Sequence, residues 1–126
     1  MFADRNATAM IPAKDFARAR AWYADKLGLE PTQVMENDMG ASYALKGVNA
    51  FLYPTQFAGT AEHTILSFES ADLVADMQAM RGKGVVFLDY DLPGLKTVNG
   101  LAEFGPVKNA WCKDSEGNIL GFVQGM

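Results

Sequence analysis

The order strand, helix and run of strands occurs twice in this chain of 126 residues. An apolar segment at 7–12 precedes a helical pattern and several further apolar segments, and the same order begins again at residue 63. Matching residues stand 56 positions apart in the two halves: Thr8 and Thr64, and Gly28 and Gly84. Because one helix can cover one face of a small sheet, this repeat predicts two modules packed as a single α+β domain. We place the modules at about 7–55 and 63–124 within one domain of residues 1–126.

The first helix is defined by both of its ends. Asp15 is suited to cap its N-terminus, and Gly28 is suited to the left-handed conformation in which helices often end. The apolar residues between them recur at helical spacing: Phe16, Ala19, Tyr23 and Leu27. We therefore predict a helix at 16–27, and by the same reasoning a second helix that Asp72 caps and that ends near Gly82 and Gly84.

The remaining apolar segments predict strands, and two segments lack regular patterns. The predicted strands are 7–12, 29–35, 41–45 and 48–53 in the first half, and 63–68, 85–88, 101–104, 108–113 and 119–124 in the second. We interpret 54–62 as a linker and 89–99 as a loop. The last two strands flank Asp-Ser-Glu-Gly-Asn at 114–118, residues typical of a tight turn, so they should form an antiparallel hairpin.

Composition and charge argue against several classes of partner. The net charge is -4 and no block of Lys and Arg is present, which disfavours nucleic acids and anionic membranes as partners. No segment is long and apolar enough to predict a membrane span. Cys112 is the one cysteine, so an internal disulfide and a Cys-rich zinc site are excluded. These features lead us to expect a cytoplasmic protein.

Two distant segments together resemble the vicinal oxygen chelate superfamily, which includes glyoxalase I, extradiol dioxygenases and bleomycin-binding proteins. The resemblance is carried by Ile-Pro-Ala-Lys-Asp at 11–15, Ala19, Trp-Tyr at 22–23, Leu-Gly-Leu-Glu at 27–30 and Asp-Ser-Glu-Gly-Asn at 114–118. It implies the glyoxalase/bleomycin-resistance fold: paired βαβββ modules that form a cupped mixed β-sheet, with both helices on the outer face. It also implies a homodimer.

The resemblance implies four positions for metal ligands, which can be checked one by one. They fall on Thr8, near Ala50, on His63 and on Gly121, and only the histidine is an ordinary metal ligand. We therefore predict that the chain holds no metal and no other cofactor, and we assign no catalytic residue.

A ligand-binding set follows from the predicted strand alternation on the concave face. It comprises Thr8, Met10, Leu52, His63, Ile65, Trp111, Ile119 and Gly121. His63 should share its face with Ile65 and Ser67 while Leu66 and Phe68 face a helix. Asp89, Tyr90 and Asp91 in the long loop could approach the mouth of the pocket, although loop carboxylates are more often simply solvated.

These observations favour a metal-free, small-molecule-binding protein that sequesters or carries a largely apolar or aromatic ligand, as the bleomycin-resistance proteins that it resembles do. Two alternatives stay open. One is a lyase, isomerase or dioxygenase that depends on a metal or on His63. The other is a structural or interaction protein with a vestigial pocket.

Overall fold

The computed structural model describes residues 1–126, and its first module is a four-stranded sheet covered by one helix. In chain order, its elements are β1 (Thr8–Ala13), α1 (Phe16–Leu27), β2 (Gln33–Val34), β3 (Ala41–Leu45) and β4 (Val48–Pro54). The strand order is β1-β4-β3-β2. The first strand runs parallel to β4, and the other neighbours are antiparallel.

The second module repeats this arrangement and adds a small hairpin. Its elements are β5 (Thr64–Glu69), α2 (Leu73–Gly82), β6 (Asp91–Leu92), β7 (Leu95–Lys96), β8 (Ala102–Phe104), β9 (Val107–Lys113) and β10 (Ile119–Gln124). The main sheet has the order β5-β10-β9-β8, with β5 parallel to β10, while β6 and β7 pair only with each other. The predicted α+β fold of paired modules is confirmed, and each module keeps its own mixed sheet.

Both helices begin and end where the sequence indicates. Asp15 Oδ1 accepts a hydrogen bond of 3.0 Å from the Arg18 amide, and Gly28 adopts φ 68° at the C-terminus of α1. Asp72 caps α2 in the same way through the amide of Ala75. Neither helix has the length and apolar character that crossing a membrane would require.

One hydrophobic cluster of 18 buried residues joins the two modules. It draws residues from both helices and from one face of each sheet, including Ile11, Ala50 and Leu52 from the first sheet and Leu120 and Phe122 from the second. The opposite face of each sheet lies outside this cluster. We call these two surfaces the first open face, formed by Thr8, Met10, Ser42, Asn49 and Phe51, and the second open face, formed by Thr64, Ser67, Trp111, Ile119 and Gly121.

Three predicted elements differ in the structure. The segment 29–35 forms only the two-residue strand β2, since Pro31 cannot donate to a ladder and a 3-10 helix begins at Glu36. The segment 85–88 contributes one bridge, between Phe87 and Cys112, because β8 pairs with the rest of that edge of β9. The predicted loop 89–99 contains the hairpin of β6 and β7.

Candidate functional site

The first open face contains a concavity of about 480 Å³. Two residues of the predicted ligand-binding set, Thr8 and Met10, line it together with Ser42, Asn49 and Phe51. Met10 is 53% exposed, which is high for a large apolar side chain on a strand. The concavity is lined by residues of the first module alone. The lining side chains offer apolar contact and neutral hydrogen-bonding groups, and none of them is charged.

The structure does not bring Leu52 into this concavity. Leu52 pairs with Ile11 and with Ala41, and its side chain is fully buried in the core cluster. Alternation along β4 then directs Asn49 and Phe51 to the open face, with Ala50 and Leu52 on the helix side. The assignment of Leu52 to the ligand-binding set is corrected, because it was placed one residue out of register.

A β-bulge at Ile65 changes which residues of β5 reach the second open face. Ile119 pairs with Thr64, the next residue of β10 pairs with Leu66, and Ile65 has no partner in the ladder. The extra residue reverses the alternation on one side of the bulge. As a result Thr64 and Ser67 share the open face, while Ile65 packs against the core cluster. The bulge could not be read from alternation alone, so Ile65 is also corrected.

His63 lies immediately before β5 and is exposed. Its Nδ1 lies 3.0 Å from the backbone oxygen of the adjacent Thr64, so this nitrogen donates locally. No carboxylate, hydroxyl or thiol hydrogen-bonds to its ring.

Trp111, Ile119 and Gly121 lie together on the second open face. Gly121 pairs directly with Trp111 across the hairpin. A Cβ atom on Gly121 would stand 3.5 Å from Trp111 Nε1 and 3.3 Å from Ser67 Oγ. Ile119 is buried but lies outside the core cluster, as its alternation with Leu120 requires. The side chains of Ser67 and Trp111 therefore already occupy the space that a side chain at Gly121 would need.

The long loop reaches this face through Tyr90. The rings of Tyr90 and Trp111 lie edge to face, with centroids 5.5 Å apart. Asp89 fixes the loop, since its Oδ1 accepts bonds of 2.7 Å from Thr97 Oγ1 and 2.8 Å from the Gly100 amide. The bond from Thr97, and then that from Gly100, hold the pKa of Asp89 below its usual range. Asp89 thus has a structural role in the loop, whereas Asp91 is exposed and is the first residue of β6.

The turn between β9 and β10 joins the second module to α1. Tyr23 donates a hydrogen bond of 2.6 Å to Asp114 Oδ2, and Arg18 donates two bonds, of 2.8 and 3.1 Å, to Glu116. Glu116 Oε1 also accepts the amide of Asp15 at 2.7 Å. The sequence predicts the turn at 114–118, but it does not predict that this turn contacts α1.

The carboxylate of Glu116 is fully buried, and its partners determine its protonation state. Burial alone would raise the pKa of Glu116. The hydrogen bonds from Arg18, the Asp15 amide and Ser115 outweigh burial and lower the pKa to about 2. Glu116 is therefore ionised and stabilises the contact between the turn and α1, and its side chain lies away from both open faces.

The residues at the four positions implied for a metal do not fit one. Thr8, Ala50 and Gly121 supply no ordinary ligand, and Ala50 is buried on the helix side. No group of three or more His, Cys, Asp and Glu side chains is arranged to hold a metal ion. Cys112 is fully buried, and burial, followed by the nearby charge of Asp114, raises the pKa of its thiol to about 12.

The open faces can therefore recognise a ligand by apolar contact and by neutral hydrogen bonds. Covalent catalysis usually requires a nucleophile that is hydrogen-bonded to a base. The open faces carry no such pair.

Comparison with known proteins identifies the fold. No protein-family model matches the chain, and no curated protein matches it. Among solved structures, a glyoxalase/bleomycin resistance protein from Catenulispora acidiphila is 22% identical with a TM-score of 0.69, over 96% of this chain and 98% of that chain. TnmS3, an antibiotic binding protein from Streptomyces sp. CB03234, is 19% identical with a TM-score of 0.69, over 100% and 99% of the two chains. A glyoxalase/bleomycin resistance protein/dioxygenase from Alicyclobacillus acidocaldarius is 14% identical with a TM-score of 0.70, over 96% and 91%.

Proposed function

Because the chain has the glyoxalase/bleomycin-resistance fold, we propose that it binds a small, largely apolar or aromatic molecule on its open faces, without a metal, and sequesters or carries that molecule. The observation that carries the proposal is the concavity of about 480 Å³ on the first open face, whose lining lacks metal-ligating side chains. The structural similarity to TnmS3, an antibiotic binding protein, supports the binding of a small molecule. Met10 and Phe51 would supply apolar contact, and Thr8, Ser42 and Asn49 would supply hydrogen bonds.

The proposed ligand site is completed by a second copy of the chain. The strands β1 and β5 each have a single neighbour, so each leaves one edge of backbone donors and acceptors unpaired. Both edges border an open face. Pairing β1 of one protomer with β5 of its partner would place the first open face beside the partner's second open face and form one larger cup.

The dimer is tested by light scattering during gel filtration, with a lysine placed at the proposed junction. Met10→Lys should convert the dimer into a monomer, because it places a charge beside the edge that pairs. Met39→Lys is the matched control, since Met39 is 61% exposed but lies outside the open faces. A monomeric wild-type protein would contradict this part of the proposal.

An enzyme that depends on His63 gains no support from the site. The histidine is exposed and bonded only to its neighbour's backbone. A protein with a vestigial pocket would instead have its cup filled by side chains, and the open concavity argues against that arrangement.

The proposed function is tested by a thermal-shift screen of aromatic metabolites and antibiotics, since a ligand that binds only the folded state raises its stability. We expect at least one compound to raise the Tm of the wild type and to lose affinity in Trp111→Ala. Trp22→Ala is the control, because Trp22 belongs to α1 and its ring packs against the ring of Tyr23, away from the open faces. A ligand that binds Trp111→Ala as tightly as the wild type would contradict the assignment of Trp111.

A further inference from the structure

A cavity of about 360 Å³ lies between the two modules, and none of its lining residues belongs to either open face. Its walls come from the C-terminal end of α1, the end of β5, one face of α2 and Phe122 of β10. We call it the intermodule cavity. Its volume is within the range of clefts that bind small molecules.

The floor of the intermodule cavity is apolar and partly aromatic. The rings of Phe68 and Phe122 stack with their centroids 5.8 Å apart and an interplanar angle of 18°. Leu27, Leu29 and Met80 extend this surface. These side chains belong to the core cluster or pack against it, so the floor is held in place before any ligand arrives. Such a floor favours a ligand with an aromatic or apolar middle.

One face of α2 carries charges of opposite sign at the two ends of the cavity. Asp76, Ala79, Met80 and Lys83 line the cavity at the spacing of residues that share one helix face. Asp76 and Lys83 stand seven residues apart, which separates them by about 10 Å along the helix axis. The cavity is therefore acidic at one end of this face and basic at the other.

The basic end has ammonium N–H groups that the protein leaves without a partner. Lys26 Nζ donates to the backbone oxygen of Lys83 and pairs with Asp25 Oδ2 at 2.9 Å, and Lys83 Nζ donates to the backbone oxygen of Asp25 at 2.8 Å. A lysine ammonium has three N–H groups. One on Lys26 and two on Lys83 can thus bind an anionic group of a ligand.

The acidic end has carboxylate oxygens without a cationic partner. Ser70 Oγ donates to Asp76 Oδ2, and the other oxygen of Asp76 accepts no hydrogen bond. Glu69 accepts none at all, and the ion pairs of the protein use the carboxylates of other residues. These oxygens can bind a cationic group of a ligand.

We propose that the intermodule cavity binds a small zwitterion whose ammonium and carboxylate groups lie at opposite ends of an aromatic ring. The carboxylate contacts Lys26 and Lys83, the ammonium contacts Glu69 and Asp76, and the ring lies on the apolar floor. An α-amino acid does not match this arrangement, because its two charges are adjacent and reach only one end. The site goes beyond the proposed function, since it is separate from the ligand site on the open faces.

The test compares three probes that share one ring: 4-(aminomethyl)benzoate, 4-methylbenzoate and 4-methylbenzylamine. The first has both charges, and each of the others lacks one. Dissociation constants are measured on the full chain from backbone amide shifts in heteronuclear NMR titrations. We expect the zwitterion to bind about twofold to fivefold more tightly than either other probe, the range for an exposed ion pair. Concentrated salt should reduce this preference, and the shifts should be largest at 26–29 and 68–70.

Two charge variants test the two ends separately. Glu69→Gln should reduce the preference for the zwitterion over 4-methylbenzoate, because only the zwitterion brings an ammonium to the acidic end. Lys83→Met should reduce the preference over 4-methylbenzylamine for the corresponding reason. Glu62→Gln and Lys113→Met are the matched controls, since both residues are exposed and lie outside the cavity, and they should keep both preferences.

A third pair of variants tests the location of binding. Ala79 and Gln78 are exposed neighbours on α2, and only Ala79 lines the cavity. Ala79→Trp should fill the cavity and weaken the binding of all three probes. Gln78→Trp places the same side chain outside the cavity and should leave their affinities unchanged.

Three outcomes would overturn the inference. Absence of binding by the zwitterion would exclude the site, and equal affinity for the three probes would exclude recognition of the two charges. Binding that is unchanged in Ala79→Trp, or shifts confined to the open faces, would exclude the location. None of these results decides the proposed function, because the ligand of the open faces is tested separately with Trp111→Ala.

Discussion

The hydroxyl of Tyr23 donates a hydrogen bond of 2.6 Å to Asp114 Oδ2, although the two residues stand 91 positions apart in the chain. Asp114 also accepts from Asn118 Nδ2 and from the amides of Glu116 and Asn118, so its carboxylate organises the turn while Tyr23 connects that turn to α1. Burial, followed by the charge of Asp114, raises the pKa of Tyr23, which keeps the phenol protonated as a donor.

Removing this hydroxyl should destabilise the protein. Tyr23→Phe leaves a buried carboxylate oxygen with one donor fewer, and we expect the free energy of unfolding in urea to fall by about 1–3 kcal/mol. Tyr53→Phe is the matched control, because no hydrogen bond of its hydroxyl is present and its ring is only partly buried. An equal loss in both variants would contradict the role of the Tyr23 bond.

The ion pair between Arg18 and Glu116 should make stability depend on acid pH. The pKa of Glu116 is about 2 in the folded protein, below its ordinary value of 4.5. Because the folded pKa is the lower one, this contribution is present above pH 4.5 and is lost as the pH falls toward about 2. The urea midpoint of the wild type should therefore fall over this range.

Glu116→Gln should show a smaller fall of the urea midpoint with acid, since the variant has no carboxylate to protonate at this position. Glu62→Gln, which changes an exposed carboxylate without an ion pair, should keep the wild-type profile. The interpretation would be contradicted by identical acid profiles for Glu116→Gln and the wild type.

Gly59 lies against the same turn and should not tolerate a side chain. A Cβ atom there would stand 2.3 Å from the backbone oxygen of Glu116, and φ is +74°. Gly47 has φ +90° but nothing within 4 Å of its Cβ position, so it isolates the cost of the backbone conformation. We expect Gly47→Ala to cost about 1–2 kcal/mol, the penalty of a left-handed residue, and Gly59→Ala to cost clearly more. Thermal unfolding of both variants measures the difference, and similar costs would show that the contact is unimportant.

Cys112 should be unreactive in the folded protein. Its thiol is fully buried with a pKa raised to about 12, and the reactive form of cysteine is the thiolate. Iodoacetamide at pH 8 should label it slowly in buffer and rapidly in concentrated urea, as followed by mass spectrometry. Rapid labelling without denaturant would mean that β9 opens or is displaced.

The fold was more predictable than the site because different physical signals encode them. Helix α1 carries its own start and stop in Asp15 and Gly28, so its bounds follow from local sequence. The bulge at Ile65 is set by pairing with β10, which no local pattern shows. One inserted residue was enough to bring Thr64 to the second open face and to turn Ile65 toward the core.

The alternation of β4 failed for a related reason. Both faces of β4 carry residues that could be buried, Asn49 and Phe51 on one face and Ala50 and Leu52 on the other. Alternation alone therefore does not show which face is the buried one, and only the burial of Leu52 in the core cluster decides it. Tyr90 was recognised as a residue that could approach the pocket, but its contact with Trp111 depends on the folded loop. Residues whose position depends on partners distant in sequence were the ones that sequence patterns could not place.

The central claim is that the chain binds its ligand without a metal. The most direct measurement is the dissociation constant of the strongest ligand from the thermal-shift screen, determined on chelator-treated protein and again after loading with Zn²⁺, Mn²⁺, Ni²⁺ or Fe²⁺, with metal content measured in parallel. We predict no retained metal and dissociation constants that agree within about twofold, a difference below 0.5 kcal/mol. Close to one metal per chain, with binding only to the loaded protein, would contradict the account.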